Sequence, residues 1–172
     1  MTETIDRRMT AEIEGEFVVF LIGARVNRWW KPWKWVPVAT AMQRMIRELT
    51  ATPALGLLGV ESWFGNPSIM VQYWRSFEHL ERYAVERDRE HLPAWAAFNF
   101  AIRSNGDVGI WHETYRVAPE SYEAVYNNMP AFGLGKAGKL LSAMGQRNTA
   151  TGRRGLSDGG DAPVDTEGRL AK

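Results

Sequence analysis

The sequence predicts an α+β domain of the ferredoxin-like type, in which a four-stranded antiparallel sheet carries its helices on one face. Three observations support this fold class. The predicted elements follow the order β-α-β-β-α-β, with one additional helix before the last strand, which is the split β-α-β arrangement. The length of 172 residues suits one domain and leaves too little core for two. Finally, the first strand is apolar on both faces, so the sheet needs a second covering layer.

The first half of the chain contains one predicted strand and one predicted helix. Residues 1–14 are polar and are expected to be flexible, whereas Glu16–Arg25 is β-branched and aromatic, as is typical of a strand. Two prolines in the next segment, 27–37, predict that it lacks regular structure. From Val38 to Leu49 apolar residues recur at helical spacing, which predicts the first helix.

A hairpin and a second helix are predicted next. Residues 56–64 and 68–75 read as strands, and the Gly-Asn-Pro sequence at 65–67 is a turn signal between them. Ser76 is the expected N-cap of a helix that begins at Phe77.

The last part of the domain is predicted to contain a further helix and the fourth strand. The helix spans 93–103, with proline in its first turn, and Asp107–Val117 is the strand. Residues 121–144 are expected to be irregular or short-helical. From residue 145 onward large apolar residues are scarce, which predicts a disordered tail over 145–172. The predicted ferredoxin-like domain therefore covers 15–144.

The apolar character of both strand faces also predicts an oligomer. Phe17–Ile22 has large apolar residues at odd and even positions alike, although a sheet with helices on one side normally exposes polar residues on the other. An identical sheet is the simplest cover, so a homodimer with a two-fold interface is expected. The alternative is that the C-terminal segment folds over this face.

Composition and charge exclude several classes of function. The formal net charge is +1, from 21 basic and 20 acidic side chains, so no nucleic-acid partner is expected. The chain has no cysteine, which excludes disulfides and thiolate metal sites, and no histidine cluster suggests a metal. The polar first residues do not resemble a secretory signal, and a cytoplasmic location is expected.

Five sequence motifs resemble one family. They are WWKPWKWVPV (29–38), YWRSFEHLERYA (73–84), HLPAWAAFN (91–99), GIWHETY (109–115) and YNNMPAFGLGKAG (126–138). With them the chain, over about 15–139, resembles a bacterial and fungal monooxygenase-like family of the fumagillin-pathway type. This family is related to the antibiotic-biosynthesis monooxygenases of the dimeric α+β barrel superfamily.

The resemblance implies a dimeric α+β barrel and a function in secondary metabolism. The implied enzyme is a cofactor-independent monooxygenase, an oxidoreductase acting on an aromatic or polyketide-like small molecule. Other members of the superfamily bind haem or are not catalysts. A haem-dependent enzyme, with His91 or His112 as axial ligand, and a non-catalytic small-molecule or membrane-surface binder therefore stay open as alternatives.

Neighbouring residues on the fourth strand are the first catalytic candidates. His112 and Glu113 are adjacent, so their side chains point to opposite faces of the sheet and cannot act on the same substrate. If His112 faces the cavity, it is the natural general base near neutral pH. If Glu113 lies under the helices with Trp111 and Tyr115, burial would raise the pKa of a carboxyl group there. For either residue the alternative is a hydrogen-bonded side chain at the dimer interface.

The predicted helix at 93–103 supplies a third catalytic candidate, His91. Trp95 and Asn99 share one helix face, with His91 one turn before them. Together they would form a pocket wall with an aromatic ring and two hydrogen-bonding groups. The alternative, which we favour, is a capping histidine above an ordinary core stripe.

Substrate contacts are expected from aromatic and cationic residues. Oxygenation of an enol or phenolate without a cofactor needs a dry aromatic pocket, one base and a donor for the developing oxyanion. Arg75, at a strand end, could hold an anionic group of the substrate, or could form an interface ion pair. The expected substrate-binding residues are Tyr73, Trp74, Arg75, Trp95 and Asn99, with Trp33 and Trp35.

The segment Trp29–Trp35 has three possible roles. We favour a proline-stiffened lid over the pocket, in which Trp33 and Trp35 contact the substrate and the lysines face water. Contact with a membrane surface is a second possibility, because tryptophan and lysine together are typical of the bilayer interface. It is not the favoured role. Stacking on single-stranded nucleic acid would use the same residue types.

Overall fold

The computed structural model describes residues 3–86 and 106–156. In these ranges the strands are β1 (Met9–Glu12), β2 (Phe17–Val26), β3 (Leu57–Trp63), β4 (Ile69–Trp74), β5 (Val108–Val117) and β6 (Lys139–Ser142). The α-helices are α1 (Pro32–Ala51), α2 (Phe77–Val85), α3 (Leu134–Ala137) and α4 (Ala150–Arg153), and short 3-10 turns occur at Pro53–Leu55 and Gly145–Asn148. The chain divides into a central unit, 18–115, and a terminal unit of 1–17 with 116–172.

The main sheet confirms the predicted ferredoxin-like fold. Its strand order is β3-β4-β2-β5, so the first strand of the split β-α-β motif lies inside the sheet. Strand β4 runs antiparallel to both of its neighbours, with Val18 opposite Trp74 on one side and Leu57 opposite Trp74 on the other. The strands predicted at 16–25, 56–64, 68–75 and 107–117 are all present within two residues of the predicted ends.

The core of the central unit lies between the sheet and helices α1 and α2. Val18 and Trp74 from the sheet, Leu49 from α1 and Tyr83 from α2 form one buried cluster. Phe20 and other half-buried apolar residues pack against it. Even-numbered positions of β2 and β4 therefore face the helices, and odd-numbered positions face the other side of the sheet.

Helix α1 corrects the prediction for residues 27–37. The helix begins at Pro32 and continues through Pro37, six residues before the predicted start at Val38. Proline is favourable at the first helical position because no intrahelical acceptor is lost there. Pro37 removes one hydrogen bond near the exposed first turns, and the remaining length of this 20-residue helix compensates for that loss.

The hairpin and the second helix agree with the sequence prediction. Residues 64–68 join β3 to β4, and the Asn66–Pro67 peptide bond is cis. Helix α2 begins at Phe77, and the Ser76 hydroxyl accepts a hydrogen bond from the His79 amide, as an N-cap does. The helix predicted at 93–103 lies outside the described residues.

The terminal unit differs from the prediction at both ends of the chain. Within the segment expected to be flexible, 1–14, residues Met9–Glu12 form β1 and pair antiparallel with β6. Residues 145–156, expected to begin a disordered tail, contain a 3-10 turn and α4. Here Arg153 is buried, with its guanidinium 2.6 Å from the Glu123 carboxylate. This segment, which is poor in large apolar residues, therefore packs through a hydrogen-bonded arginine. Disorder remains a prediction for 157–172.

Across the described part of the chain, no helix combines the length and the apolar character that a membrane span requires.

Candidate functional site

The two faces of β5 separate the two catalytic candidates on that strand. The ring of His112 lies 5.6 Å from the ring of Phe20, centroid to centroid, and Phe20 packs against the core cluster. His112 therefore lies on the helix-facing side of the sheet. Since successive strand residues alternate, Glu113 lies on the opposite side. The prediction that these two side chains cannot act on one substrate agrees with this placement.

The side chain of His112 differs from that of Glu113 in its polar contacts. It is exposed, and it has no hydrogen bond or ion pair with the described residues. Its one described ring contact is with Phe20, at an interplanar angle of 42°. Within residues 3–86 and 106–156 neither ring nitrogen of this imidazole has a partner, and the Phe20 ring lies beside it.

Glu113 is paired with Tyr115 on the opposite face. The phenol of Tyr115 donates a hydrogen bond to the Glu113 carboxylate, with 2.5 Å between the oxygens. This bond, together with the carboxylate charge, raises the pKa of Tyr115 above its ordinary value. Tyr115 is thus a donor near neutral pH and not a base, and Glu113 is occupied by it. Both side chains are exposed, so the burial considered for Glu113 is not seen.

Gly23 and Trp111 form a close contact on the Glu113 face. A methyl group at Gly23 would collide with the backbone carbonyl of Ser68 and would lie 2.7 Å from the indole nitrogen of Trp111. That nitrogen is buried and has no acceptor among the described residues. Glycine is therefore required at position 23 because the indole ring and the neighbouring strand occupy the space of a side chain.

The three consecutive residues Tyr73, Trp74 and Arg75 do not form one site. Trp74 is 1% exposed in the core, and its indole nitrogen donates to the side-chain oxygen of the buried Gln72 at 2.9 Å. The prediction that Trp74 contacts substrate is thus not supported, because no surface of the ring is accessible. Tyr73 is half-buried on the opposite face, and Arg75 is exposed at the end of β4.

The other predicted substrate residues fall into two groups. His91, Trp95 and Asn99 lie outside the described residues, so their roles stay predictions. Trp33 is 65% exposed, whereas Trp35 is half-buried and donates its indole N–H to the carbonyl of Trp29 at 3.2 Å. Both belong to the first turn of a helix and not to a loop lid.

Asp107 is a buried charged residue that the sequence analysis missed. Its carboxylate is 2% exposed and lies 2.8 Å from the Arg28 guanidinium and 3.0 Å from the Lys31 ammonium. The hydrogen bond from Lys31 is the main cause that lowers the pKa of Asp107. The one available signal was a lone acid after Gly106, at the start of a strand. This residue fixes the segment before α1.

A cavity of about 460 Å³ in the terminal unit was also not predicted. Its charged lining is largely committed to internal pairs, because Arg147 bonds Glu12 and Arg153 bonds Glu123. The remaining wall includes Tyr122, whose hydroxyl interacts with the backbone of Ile13. None of the predicted site residues lies in this cavity.

Metal and haem binding place different demands on the residues. Within the ranges that the structure describes, no group of three or more His, Asp and Glu side chains is placed to hold a metal ion. Haem needs only one axial imidazole. His112 offers one, whereas His79 contacts the Ser76 hydroxyl at 2.9 Å.

Comparison of the sequence with known proteins identifies relatives of this chain. A family model described as Monooxygenase af470-like matches residues 17–134. The curated protein Monooxygenase af470 of Aspergillus fumigatus is 31% identical over 102 residues, which cover 56% of this chain and 35% of that protein. The chain thus spans about a third of the length of the curated relative it matches.

Two solved structures extend the comparison. An aldoxime dehydratase matches with a TM-score of 0.59 at 16% identity, over 77% of this chain and 45% of that chain, which supports the fold. SnoaB, described as a cofactor-independent oxygenase from Streptomyces nogalater, matches with a TM-score of 0.42 at 12% identity, over 58% of this chain and 91% of that chain.

Proposed function

The chain belongs to the Monooxygenase af470-like family, and on that premise we propose that it is a cofactor-independent monooxygenase with His112 as its general base. The observation that carries the proposal is the position of His112 beside Phe20 on the helix-facing side of the sheet. This imidazole has no hydrogen-bond partner in the described ranges, whereas Glu113 on the other face is bonded to Tyr115. The base is therefore assigned to one face of one strand.

The proposed substrate is an aromatic or polyketide-like molecule with an acidic CH₂ group conjugated to a carbonyl, either directly or through an aromatic ring. His112 takes one proton from this CH₂ group, and the resulting enolate is electron-rich enough to react with O₂ directly. The CH₂ group becomes a carbonyl, one oxygen atom enters the product and the other leaves as water. The four electrons that reduce O₂ all come from the substrate, so no external reductant is needed.

The protein would contribute proton transfer, a dry environment and substrate orientation. A positioned base contributes about 10²–10⁴-fold to rate, and the Phe20 ring provides apolar surface next to the imidazole. His91, Trp95 and Asn99 remain predicted wall residues. Asn99 would be the donor to the developing oxyanion, as an amide N–H suits that role.

We further propose that the Glu113 face of the sheet pairs with a second copy of the chain. Tyr73 and Trp111 are half-buried and Tyr115 is 50% exposed on this face, which is a larger aromatic surface than a solvated sheet face usually carries. Sheet-to-sheet packing would bury these rings in a two-fold interface. The catalytic face, with His112, would remain separate from this interface.

Oxygen uptake tests the enzymatic proposal directly. Anthrone, an enolisable aromatic ketone, and a panel of related ketones with acidic CH₂ groups are mixed with purified protein in an oxygen electrode. The expected result is uptake of one O₂ per product, with one ¹⁸O atom of labelled O₂ recovered in the new carbonyl. Absence of uptake with every member of the panel would overturn the proposal.

The same preparation distinguishes the alternative functions. A haem absorption band in the purified protein, lost in a His112→Ala variant, would identify a haem enzyme with His112 as axial ligand. Ligand binding without oxygen uptake would instead indicate a non-catalytic binding protein. Either result contradicts the cofactor-independent mechanism.

A further inference from the structure

One end of the main sheet carries an unusual group of exposed aromatic side chains. We call it the aromatic end patch, and its members are Trp29, Trp30, Trp33 and Phe64. Their exposed fractions are 54%, 69%, 65% and 87%. The three indole rings alone leave roughly 400 Å² of surface in contact with water. Exposed apolar surface of this extent commonly marks a binding site.

The members of the patch come from two segments that meet at the same end of the sheet. Phe64 lies at the tip of the β3–β4 hairpin, two residues before Asn66. The Asn66 side chain accepts a hydrogen bond from the Val26 amide at 2.9 Å and donates one to the Val26 carbonyl at 3.0 Å. Val26 ends β2, and Trp29 and Trp30 follow three and four residues later. The hairpin tip and the tryptophan segment therefore lie at the same end of the sheet.

Ion pairs hold the tryptophan segment in place and leave the rings outside. The buried carboxylate of Asp107 binds Arg28 and Lys31, the residues on either side of Trp29 and Trp30. The indole of Trp35 bonds the carbonyl of Trp29. The ring of Trp29 packs edge-on against the ring of Trp35, with 5.7 Å between the centroids. These contacts fix the backbone of the segment, while Trp29, Trp30 and Trp33 stay more than half exposed.

The segment that carries the tryptophans of the patch is basic. Residues 25–35 contain four basic side chains and no acidic one, although the whole chain has a net charge of only +1. Asp107 neutralises part of this charge at the sheet end. The basic residues are Arg25, Arg28, Lys31 and Lys34.

We propose that the aromatic end patch docks on the surface of an anionic phospholipid bilayer. Indole rings are favoured at the level of the lipid headgroups, and lysine and arginine pair with lipid phosphates and serine carboxylates. A second copy of the chain fits this surface less well, because a two-fold contact through the patch would bring like cations together.

Vesicle co-sedimentation tests the docking without requiring catalysis. Purified protein is mixed with vesicles of phosphatidylcholine, or of phosphatidylcholine with about 30% phosphatidylserine. We expect partitioning onto the anionic vesicles, with a blue shift of tryptophan emission. A Trp30→Ala/Trp33→Ala variant should partition at least about tenfold less, and added salt should weaken the binding of the parent protein.

Phe77→Ala is the matched control, since this exposed aromatic residue follows β4 at the opposite end of the sheet. Its partitioning should equal that of the parent protein. Equal binding of the Trp30→Ala/Trp33→Ala variant would overturn the proposal, as would absence of binding by the parent. Two other results would also overturn it: a smaller oligomer for the tryptophan variant in light scattering, or binding of single-stranded oligonucleotide in place of vesicles.

Discussion

Replacing Trp74 by Phe should lower the stability of the central unit by about 3–5 kcal/mol. The smaller ring removes about three buried heavy atoms, which at about 0.8 kcal/mol per methylene-sized group costs roughly 2 kcal/mol. The replacement also leaves the buried oxygen of Gln72 without its donor, which costs about 1–3 kcal/mol. For a chain of this length the melting temperature should fall by about 10 °C.

Urea and thermal denaturation, followed by circular dichroism, measure this effect. In a Trp74→Phe/Gln72→Met variant the oxygen is removed together with its donor, so the part due to hydrogen bonding should be recovered. Trp33→Phe is the matched control, because Trp33 is 65% exposed and should change stability by less than about 0.5 kcal/mol. Equal effects of Trp74→Phe and Trp33→Phe would refute the placement of Trp74 in the core.

Three further predictions concern single residues. Gly23→Ala should destabilise the protein by about 1–3 kcal/mol, because the new methyl group meets the carbonyl of Ser68; an unchanged urea midpoint would contradict this contact. The lowered pKa of Asp107 means that its pairing with Lys31 stabilises the fold above the ordinary aspartate pKa of about 3.9 and is lost as pH falls through the lower folded value. The melting temperatures of the parent and Asp107→Asn should therefore differ at pH 6 and converge at lower pH, and a constant difference would count against the ion pair. Because the pKa of Tyr115 is raised, its phenol should ionise at higher pH than an ordinary tyrosine. In a spectrophotometric titration Tyr115→Phe should therefore lack one phenol in the most alkaline part of the curve. If the missing phenol instead ionised at the ordinary tyrosine pKa, the hydrogen bond from Tyr115 to Glu113 would be contradicted.

Local sequence patterns were sufficient to predict the strands of the main sheet but not the strands of the terminal unit. Strand β2 and the hairpin strands are recognisable because long runs of β-branched and aromatic residues end at glycine and proline. By contrast, β1 and β6 have four residues each and pair Met9 with Ser142, more than a hundred residues apart. A pairing over such a distance has no local signal. The order at Arg153 likewise depends on Glu123, thirty residues earlier.

For the candidate site, the sequence predicted which side chains of β5 share a face of the sheet. Opposite faces for His112 and Glu113 follow from their adjacency alone. Which face meets the helices depends on how β5 sits against β2, and the Phe20 contact of His112 determines it. The same alternation argues against grouping Tyr73 with Trp74, and Trp74 proves to be a core residue. The role of Asp107 depends on two cations that lie more than seventy residues earlier.

The most direct test of the proposed mechanism compares two neighbouring variants in one assay. His112 and Glu113 are both exposed, so His112→Gln and Glu113→Gln should each leave the fold intact. For both variants kcat/KM for oxygen uptake is measured with the substrate that the parent protein turns over. We expect His112→Gln to lose about 10²–10⁴-fold, while Glu113→Gln, on the opposite face, stays within a few-fold of the parent. The reverse order, or equal losses in both variants, would contradict the assignment of the base to the helix-facing side of β5.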